Sequence, residues 1–137
     1  MDAKRRRPQD PDYDCTTVYI PPFEYQKLTA TMKQYWDIKA QMYDKICLFK
    51  LGKFYEIFFN DAIICHKLLD LAWMHEVKRL HVGFPEKLLD DYIEKLVGLG
   101  HKLVVVEQTE TCKMAAERAP NKRGDMPVNR EISACYS

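Results

Sequence analysis

The sequence lacks the residue patterns that usually mark metal centres and disulfide frameworks. Its five cysteines are spread over 137 residues, and no two of them form a C-x-x-C pair. They are Cys15, Cys47, Cys65, Cys112 and Cys135. The odd number and wide spacing predict buried free thiols in a reducing compartment. The four histidines share no metal-ligand spacing either.

Glycine and long apolar runs are also scarce. None of the five glycines belongs to a Walker-type phosphate loop, so we expect no ATP site within these residues. No apolar stretch approaches the length that crosses a bilayer, and no secretory signal is recognisable, so we expect no membrane partner. Glu107 and Glu110 resemble paired catalytic acids, but no nucleophile or metal cluster accompanies them. We therefore expect a domain that is not an enzyme and holds no cofactor.

The sequence also has no excess of either basic or acidic residues. The 21 basic and 20 acidic residues leave a net charge of +1. A domain that binds DNA on its own is usually more basic, so near neutrality favours a module held on DNA by other domains. The one basic run, residues 4–7, is typical of nuclear import or phosphate contact and equally of a solvated tail.

Strand and helix patterns alternate along the chain and predict an α/β fold, a small mixed β-sheet flanked by helices. Residues 1–27 form a proline-punctuated leader in which we expect no regular helix. Thr31 and Gln34 predict a capping box for the first helix, and Asn60 predicts the cap of the second. Strands are predicted at 46–51, 54–59, 80–84, 103–106 and 128–136, a helix after Pro85, a short helix at 112–119 and a loop at 120–127.

The most informative segment is GKFYEIF at residues 52–58. Gly52 supplies a turn after the first strand, because glycine reaches positive φ without steric cost. Side chains alternate along the strand that follows, so Tyr55, Ile57 and Phe59 are expected to pack a core. Phe54 and Glu56 then share the other face, roughly 7 Å apart. From the pattern alone, core packing of the ring and a solvated carboxylate remain alternatives.

This segment resembles the mismatch-reading motif of the MutS family of DNA mismatch-repair proteins. Four further landmarks follow the same order: YWDIKAQ at 35–41, DA at 61–62, HVGFPE at 81–86 and VEQTET at 106–111. Bacterial members typically carry Asp where this chain has Lys53, and the form here is similar to the mismatch-contacting subunit of eukaryotic MutSα. The resemblance implies that residues 28–137 are the mismatch-recognition domain, excised from a longer protein.

The resemblance also implies roles for individual residues. Phe54 is expected to wedge into the minor groove at a mismatch, because unstacking costs least where pairing is already defective. Glu56 is expected to hydrogen-bond the mispaired base: ionised it accepts from a base N–H, and protonated it donates to a purine N7. Lys53, beside the wedge, is a candidate for contact with backbone phosphate or sugar, with a solvated turn lysine as the alternative. Lys50, Lys78 and Arg79 are weaker phosphate candidates by their charge alone, because the 75–79 loop differs in length from relatives. Met74 is predicted to pack in the core, with a groove contact as the alternative.

For the longer protein, the resemblance implies a DNA-dependent ATPase whose ATP and Mg sites lie outside these residues. Its expected partners are double-stranded DNA with mismatches or small loops and a second MutS homologue in a heterodimer, in the nucleus. Two alternatives remain. One is a protein-interaction domain of a MutS homologue, which the presence of both Phe54 and Glu56 disfavours. The other is a small nuclease, which the missing metal or nucleophile constellation disfavours.

Overall fold

The computed structural model describes residues 1–74, 80–110, 117 and 128–137. The chain divides into two compact units. The first contains Met1–Asp44 and Gln108–Glu131, and the second contains Lys45–Glu107 and Ile132–Ser137. The predicted helix at 112–119 and the loop at 120–127 lie outside the described residues, apart from Glu117.

The strands that the structure describes form one mixed sheet. They are β1 (Ile46–Leu51), β2 (Phe54–Phe58), β3 (His81–Pro85), β4 (Leu103–Gln108) and β5 (Arg130–Tyr136). Their order across the sheet is β3-β2-β1-β4-β5. β2 pairs antiparallel with both β1 and β3, whereas β1 and β4 pair in parallel. The sheet and its helices confirm the predicted α/β class, and β1 has the bounds that the sequence predicted.

Helices occur in both units. They are α1 (Pro22–Gln26), α2 (Ala30–Lys39), α3 (Phe59–Leu69) and α4 (Leu89–Gly98), and a 3₁₀ turn at Glu86–Leu88 leads into α4. None of the described helices is long and apolar enough to cross a membrane.

One face of the sheet carries the hydrophobic core of the second unit. Tyr55 and Ile57 of β2 point into it, as predicted. The other members come from β1, β3, β4, α3 and α4: Ile46, Leu48, Val82, Phe84, Leu103, Val105, Ala62, Cys65, Leu69, Ile93 and Leu96. Neighbouring β4 residues on the opposite face, Val104 and Val106, are also fully buried. The run at 103–106 is therefore a strand buried on both faces, which explains its continuous apolar sequence.

Two predicted helix starts and several predicted strand ends are wrong. β3 lies one residue later than predicted, β4 extends two residues further, to Gln108, and β5 begins at Arg130 rather than at residue 128. The side chain of Thr29, not Thr31, caps α2 by accepting the Met32 N–H at 3.2 Å, and Thr31 lies inside the helix. α3 begins at Phe59 rather than after Asn60. Phe59 has a φ of 56°, which breaks the extended backbone. Strand alternation therefore ends at Phe58, and the prediction that Phe59 packs in the same core as Tyr55 and Ile57 is wrong, since Phe59 is only partly buried and lies outside that core.

The prediction that residues 1–27 contain no regular helix is wrong, because α1 lies within them. Pro22 begins α1, where its missing N–H costs nothing because first-turn donors have no partner within the helix. Before it, the buried Asp2 carboxylate accepts the N–H groups of Arg6 and Asp14 at 2.8 and 3.0 Å. The Arg6 guanidinium donates to the same carboxylate at 2.7 Å. One arginine of the basic run is therefore bound within the chain.

The prediction of buried thiols is confirmed for some of the cysteines. Cys47 and Cys65 are buried, whereas Cys15 and Cys135 are exposed. For these two the prediction is wrong, because composition alone does not tell which face of an element a residue occupies. Cys112 lies outside the described residues.

Candidate nucleic-acid interface

A tight hairpin turn fixes the start of β2. Leu51, the last residue of β1, pairs with Phe54, the first residue of β2, so only Gly52 and Lys53 connect the strands. Gly52 has a φ of 63°, the positive value that a type II′ turn requires at its first central residue. A Cβ added at Gly52 would meet no atom within 4 Å. Glycine is needed here for its backbone conformation, and the turn sets the position of Phe54.

Phe54 is the exposed aromatic residue of β2. Its relative exposure is 46%, whereas Tyr55 and Phe58 in the same strand are exposed by 3% or less. It lies beside Pro85 on β3 and Leu51 on β1, at the turn end of both pairs. The structure thus separates Phe54 from the core, as the face assignment predicted. A large apolar ring at a strand end is available for contact.

Glu56 lies on the same face but is recessed. Its side chain is only 13% exposed, which is far less than the solvated alternative requires. Its cross-strand partner on β3 is Gly83. A Cβ at Gly83 would lie 3.5 Å from the Glu56 Cγ and 3.2 Å from the Tyr55 carbonyl oxygen. The glycine therefore leaves the space into which the Glu56 side chain extends.

His81 is the neighbour of the Glu56 carboxylate. Its Nε2 lies 3.3 Å from the Glu56 Oε1, and the His81 side chain is 5% exposed. The imidazole stacks on Phe58, with ring centroids 5.6 Å apart and an interplanar angle of 27°. The carboxylate thus has a polar neighbour inside the protein.

Met74 borders the same site and is not a core residue. It is 40% exposed, so the prediction of core packing is wrong. Its N–H donates to the His81 carbonyl at 3.0 Å. Its Sδ would lie 3.2 Å from a Cβ at Gly83. Two exposed apolar side chains, Phe54 and Met74, therefore accompany the recessed carboxylate of Glu56.

The basic residues near the turn differ in availability. Lys50 is buried: its ammonium pairs with Glu86 and lies 4.7 Å above the centroid of the Tyr55 ring. This argues against Lys50 as a phosphate contact. Lys53 is exposed, and its carbonyl accepts the Glu86 N–H at 2.8 Å. The hydrogen bond and charge of Lys50, with a smaller effect of Lys53, hold the pKa of Glu86 below its ordinary value.

Tyr55 is anchored on the core face. Its hydroxyl donates to the Glu107 carboxylate, and its ring stacks on Phe84 at a centroid distance of 5.7 Å. Burial and then the Glu107 hydrogen bond raise the pKa of Tyr55. The residue between Phe54 and Glu56 is thereby fixed in the core, which holds both outward side chains in register.

The remaining predicted phosphate contacts, Lys78 and Arg79, lie outside the described residues. Sequence reasoning also missed Gly83 and His81 as neighbours of Glu56. Both residues belong to the HVGFPE landmark, but the sequence does not show that this strand pairs with β2.

Comparisons with known proteins place the chain in a family. The family model described as MutS domain I matches residues 29–137. The DNA mismatch repair protein MSH6 of Arabidopsis thaliana is 46% identical over 134 residues, which cover 97% of this chain and 10% of that protein. MSH7 of the same plant is 42% identical over 122 residues, covering 88% and 11%. Msh6 of Homo sapiens is 40% identical over 135 residues, covering 96% and 10%. The chain spans about a tenth of the length of these relatives.

Proposed function

Because this chain belongs to the MutS family, whose domain I it contains, we propose that it recognises mismatched base pairs in double-stranded DNA during mismatch repair. The observation that carries the proposal is the exposed Phe54 ring at the end of a tight hairpin, beside the recessed carboxylate of Glu56. A protein that recognises mispaired bases must bind them in any flanking sequence. An aromatic ring can do so because it stacks on every base.

Phe54 acts as a wedge. Inserted from the minor groove, its ring partly unstacks a base step and kinks the duplex. The unstacking cost is smallest where pairing is already defective. The protein therefore binds a mismatch more tightly because the duplex is easier to deform there. The short turn and the buried Tyr55 support this role, because a wedge must not move when it meets the stack. The exposed Met74 adds apolar surface beside it.

Glu56 contacts the base that the wedge displaces. A carboxylate close to phosphates is repelled by them, and this cost disfavours ordinary duplex. At a mismatch the carboxyl group hydrogen-bonds an exposed base edge, which offsets the repulsion. Its low exposure supports this selectivity, since a base that remains stacked does not reach a recessed group.

The exposed Lys53 contacts backbone phosphate next to the wedge. Lys78 and Arg79 are further phosphate contacts in this proposal, because both are basic residues in the segment that precedes β3 in the sequence. Such contacts position the protein without reading the sequence.

The longer protein supplies the remaining functions in this proposal. It is a nuclear, DNA-dependent ATPase that uses ATP and Mg outside these residues and pairs with a second MutS homologue. This domain itself binds and does not catalyse.

The test is Phe54→Ala in the longer protein, assembled with its partner. Loss of aromatic stacking, worth about 1–3 kcal/mol per base, should bring the affinity for mismatched duplex down to that for paired duplex. Leu99→Ala is the matched control, because Leu99 is also an exposed apolar residue of the second unit, 52% exposed, and follows α4. Both affinities are measured by competition titration, and thermal melting checks folding. A folded Phe54→Ala protein with full mismatch preference would falsify the wedge.

A further inference from the structure

The Glu56 side chain lies along a diagonal of the β2–β3 ladder. Directly opposite Glu56 is Gly83, and directly opposite Phe58 is His81. His81 is therefore the diagonal neighbour of Glu56 on the same face. Diagonal residues of an antiparallel pair are within reach of each other when a side chain is long. Since Gly83 carries no side chain, the carboxylate extends across that position to 3.3 Å from the imidazole.

His81 is held more firmly than a surface histidine. It is 4% exposed and lies at the first position of β3. Its carbonyl accepts the Met74 N–H at 3.0 Å, and its ring stacks on the fully buried Phe58. The ring therefore offers Nε2 to Glu56 from a fixed position.

A carboxyl group two bonds beyond Cβ samples several rotamers when nothing restrains it. A contact made with a base needs one of them, and ordering it only on binding weakens the contact. A neighbouring N–H that already holds one oxygen removes part of this cost. His81 can do this as a neutral imidazole with its proton on Nε2, or as an imidazolium.

We propose that His81 is a positioning residue for Glu56: its Nε2–H donates to Oε1 and holds the carboxylate in the orientation that meets a mispaired base. This inference rests on the proposed function of Glu56 and adds a residue that determines the specificity of the site. His81 itself does not touch DNA in this proposal.

Two substitutions separate the N–H donor from the ring. His81→Phe keeps a ring to stack on Phe58 but has no donor, whereas His81→Gln keeps an N–H at a similar reach and loses the ring. In the longer protein with its partner, His81→Phe should lower the ratio of mismatch to homoduplex affinity by about tenfold, as expected for losing one hydrogen bond to a charged group. His81→Gln should restore most of that ratio. If His81→Phe kept the affinity ratio and His81→Gln lost it, the ring and not the donor would matter, and the proposal would be overturned.

A double-mutant cycle distinguishes positioning from a structural role. In a Glu56→Ala background, His81→Phe should change the affinity ratio by less than about twofold, because the group it positions is gone. An undiminished effect of His81→Phe in that background would overturn the proposal. If His81→Phe melts the domain, His81→Asn replaces it. Its amide reaches only the Nδ1 position, so a folded Asn variant should lose discrimination while the Gln variant keeps it.

A spectroscopic measurement on the 137-residue chain tests the contact without DNA. With ¹⁵N-labelled histidine, the His81 resonances should show a proton on Nε2 and should shift in Glu56→Gln. Unshifted His81 nitrogens would overturn the inference. The proposed function fails in a different way: Glu56→Ala would then leave discrimination unchanged, and the positioning role would fall with it. If Glu56→Ala reduces discrimination but His81→Phe does not, only the positioning role is wrong.

Discussion

Gly83 lies directly opposite Glu56 in the antiparallel ladder of β2 and β3, and the missing side chain of the one makes room for the other. A Cβ at position 83 would come within 3.2 Å of the Tyr55 carbonyl oxygen and the Met74 Sδ. The sulfur can move, but the carbonyl belongs to a strand paired on both sides. A residue with a side chain at position 83 would therefore have to displace its neighbours in the site.

Gly83→Ala should destabilise the domain. Overpacking costs about 1–3 kcal/mol, and the lower entropy of the unfolded alanine chain offsets only about 0.4–1 kcal/mol of that. We expect the melting temperature to fall by about 4 °C. Gly98→Ala is the matched control, since its Cβ meets nothing within 4 Å and it lies in α4. Alanine there should stabilise by about 0.5–1 kcal/mol. A Gly83→Ala variant as stable as the parent would contradict the close approach.

Tyr55→Phe should lower the free energy of unfolding by about 1–2 kcal/mol, because it removes the hydrogen bond to Glu107 from a buried ring. The pKa of Tyr55 is raised by burial and by Glu107, so the stabilisation is present below the ordinary tyrosine pKa of 10.0 and is lost as pH rises above it. Urea unfolding at neutral pH measures the difference. Tyr136→Phe, at an exposed tyrosine, serves as the control and should change little. Equal effects of the two changes would count against the anchoring role of Tyr55.

The sequence predicted the local features of the site well and its long-range contacts poorly. The bounds of β1 follow from a continuous apolar run, the turn at Gly52 follows from glycine chemistry, and the opposite faces of Phe54 and Tyr55 follow from period-two alternation. Each of these signals acts over a few residues. His81 and Gly83 approach Glu56 from a strand 25 and 27 positions later. No local pattern specifies that register. The buried pairing of Lys50 with Glu86 was missed for the same reason, since it joins residues 36 positions apart.

Helix and strand ends were the other source of error. Phe59 has positive φ although it is a bulky residue, a conformation that sequence propensity argues against. Its N–H donates to the Leu80 carbonyl at 2.9 Å, a tertiary contact at the point where β2 passes into α3. The cap at Thr29 shows a smaller failure: two threonines two positions apart both fit a cap, and only the helix start distinguishes them.

The leader should lose its organisation at low pH. Burial opposes the ionisation of Asp2, but hydrogen bonds from Arg6 and Asp14 outweigh it and lower the pKa of Asp2 to about 2. Because the folded pKa lies below the ordinary value of 3.8, the stabilisation is present above about pH 4 and is lost as pH falls towards 2. Hydrogen exchange at the Arg6 amide measures this loss. Asp2→Asn should show fast exchange already at pH 6. The pKa of Asp14 is also lowered, by hydrogen bonds from the Thr16 side chain and backbone, so Asp14 is a second group that gains a proton at low pH. Thr16→Val is therefore the control, and it should leave the Arg6 amide protected at pH 6.

The 137-residue chain alone should bind DNA weakly and with little preference for mismatches. Its net charge is +1, so phosphate attraction contributes little, and the cost of kinking must be recovered from contacts elsewhere in a longer protein. Fluorescence anisotropy with mismatched and paired duplexes of equal length measures both affinities, with the assembled longer protein as reference. The chain should also hydrolyse no ATP above a contaminant control. Tight, mismatch-selective binding by the chain alone would show that other domains are not needed.

Glu56→Ala should differ in kind from Phe54→Ala. Loss of the ring removes an attraction that only a deformable site allows, so mismatch affinity should fall. Loss of the carboxylate removes a hydrogen bond to the mispaired base and also a repulsion from phosphates of any duplex. Homoduplex affinity should therefore hold steady or rise. The ratio of mismatch affinity to homoduplex affinity should fall mainly for that reason.

The charge and the hydrogen bond of Glu56 can be separated with Glu56→Gln. The amide keeps hydrogen-bonding capacity but carries no charge, so it should raise homoduplex affinity as much as alanine does and keep more of the mismatch affinity. Both affinities are measured in the longer protein at two salt concentrations. The gain in homoduplex affinity should shrink at high salt, because salt ions screen the repulsion between the carboxylate and the phosphates. A gain in homoduplex affinity that is independent of salt, or a fall in homoduplex affinity for either variant, would show that Glu56 does not act by repelling paired DNA.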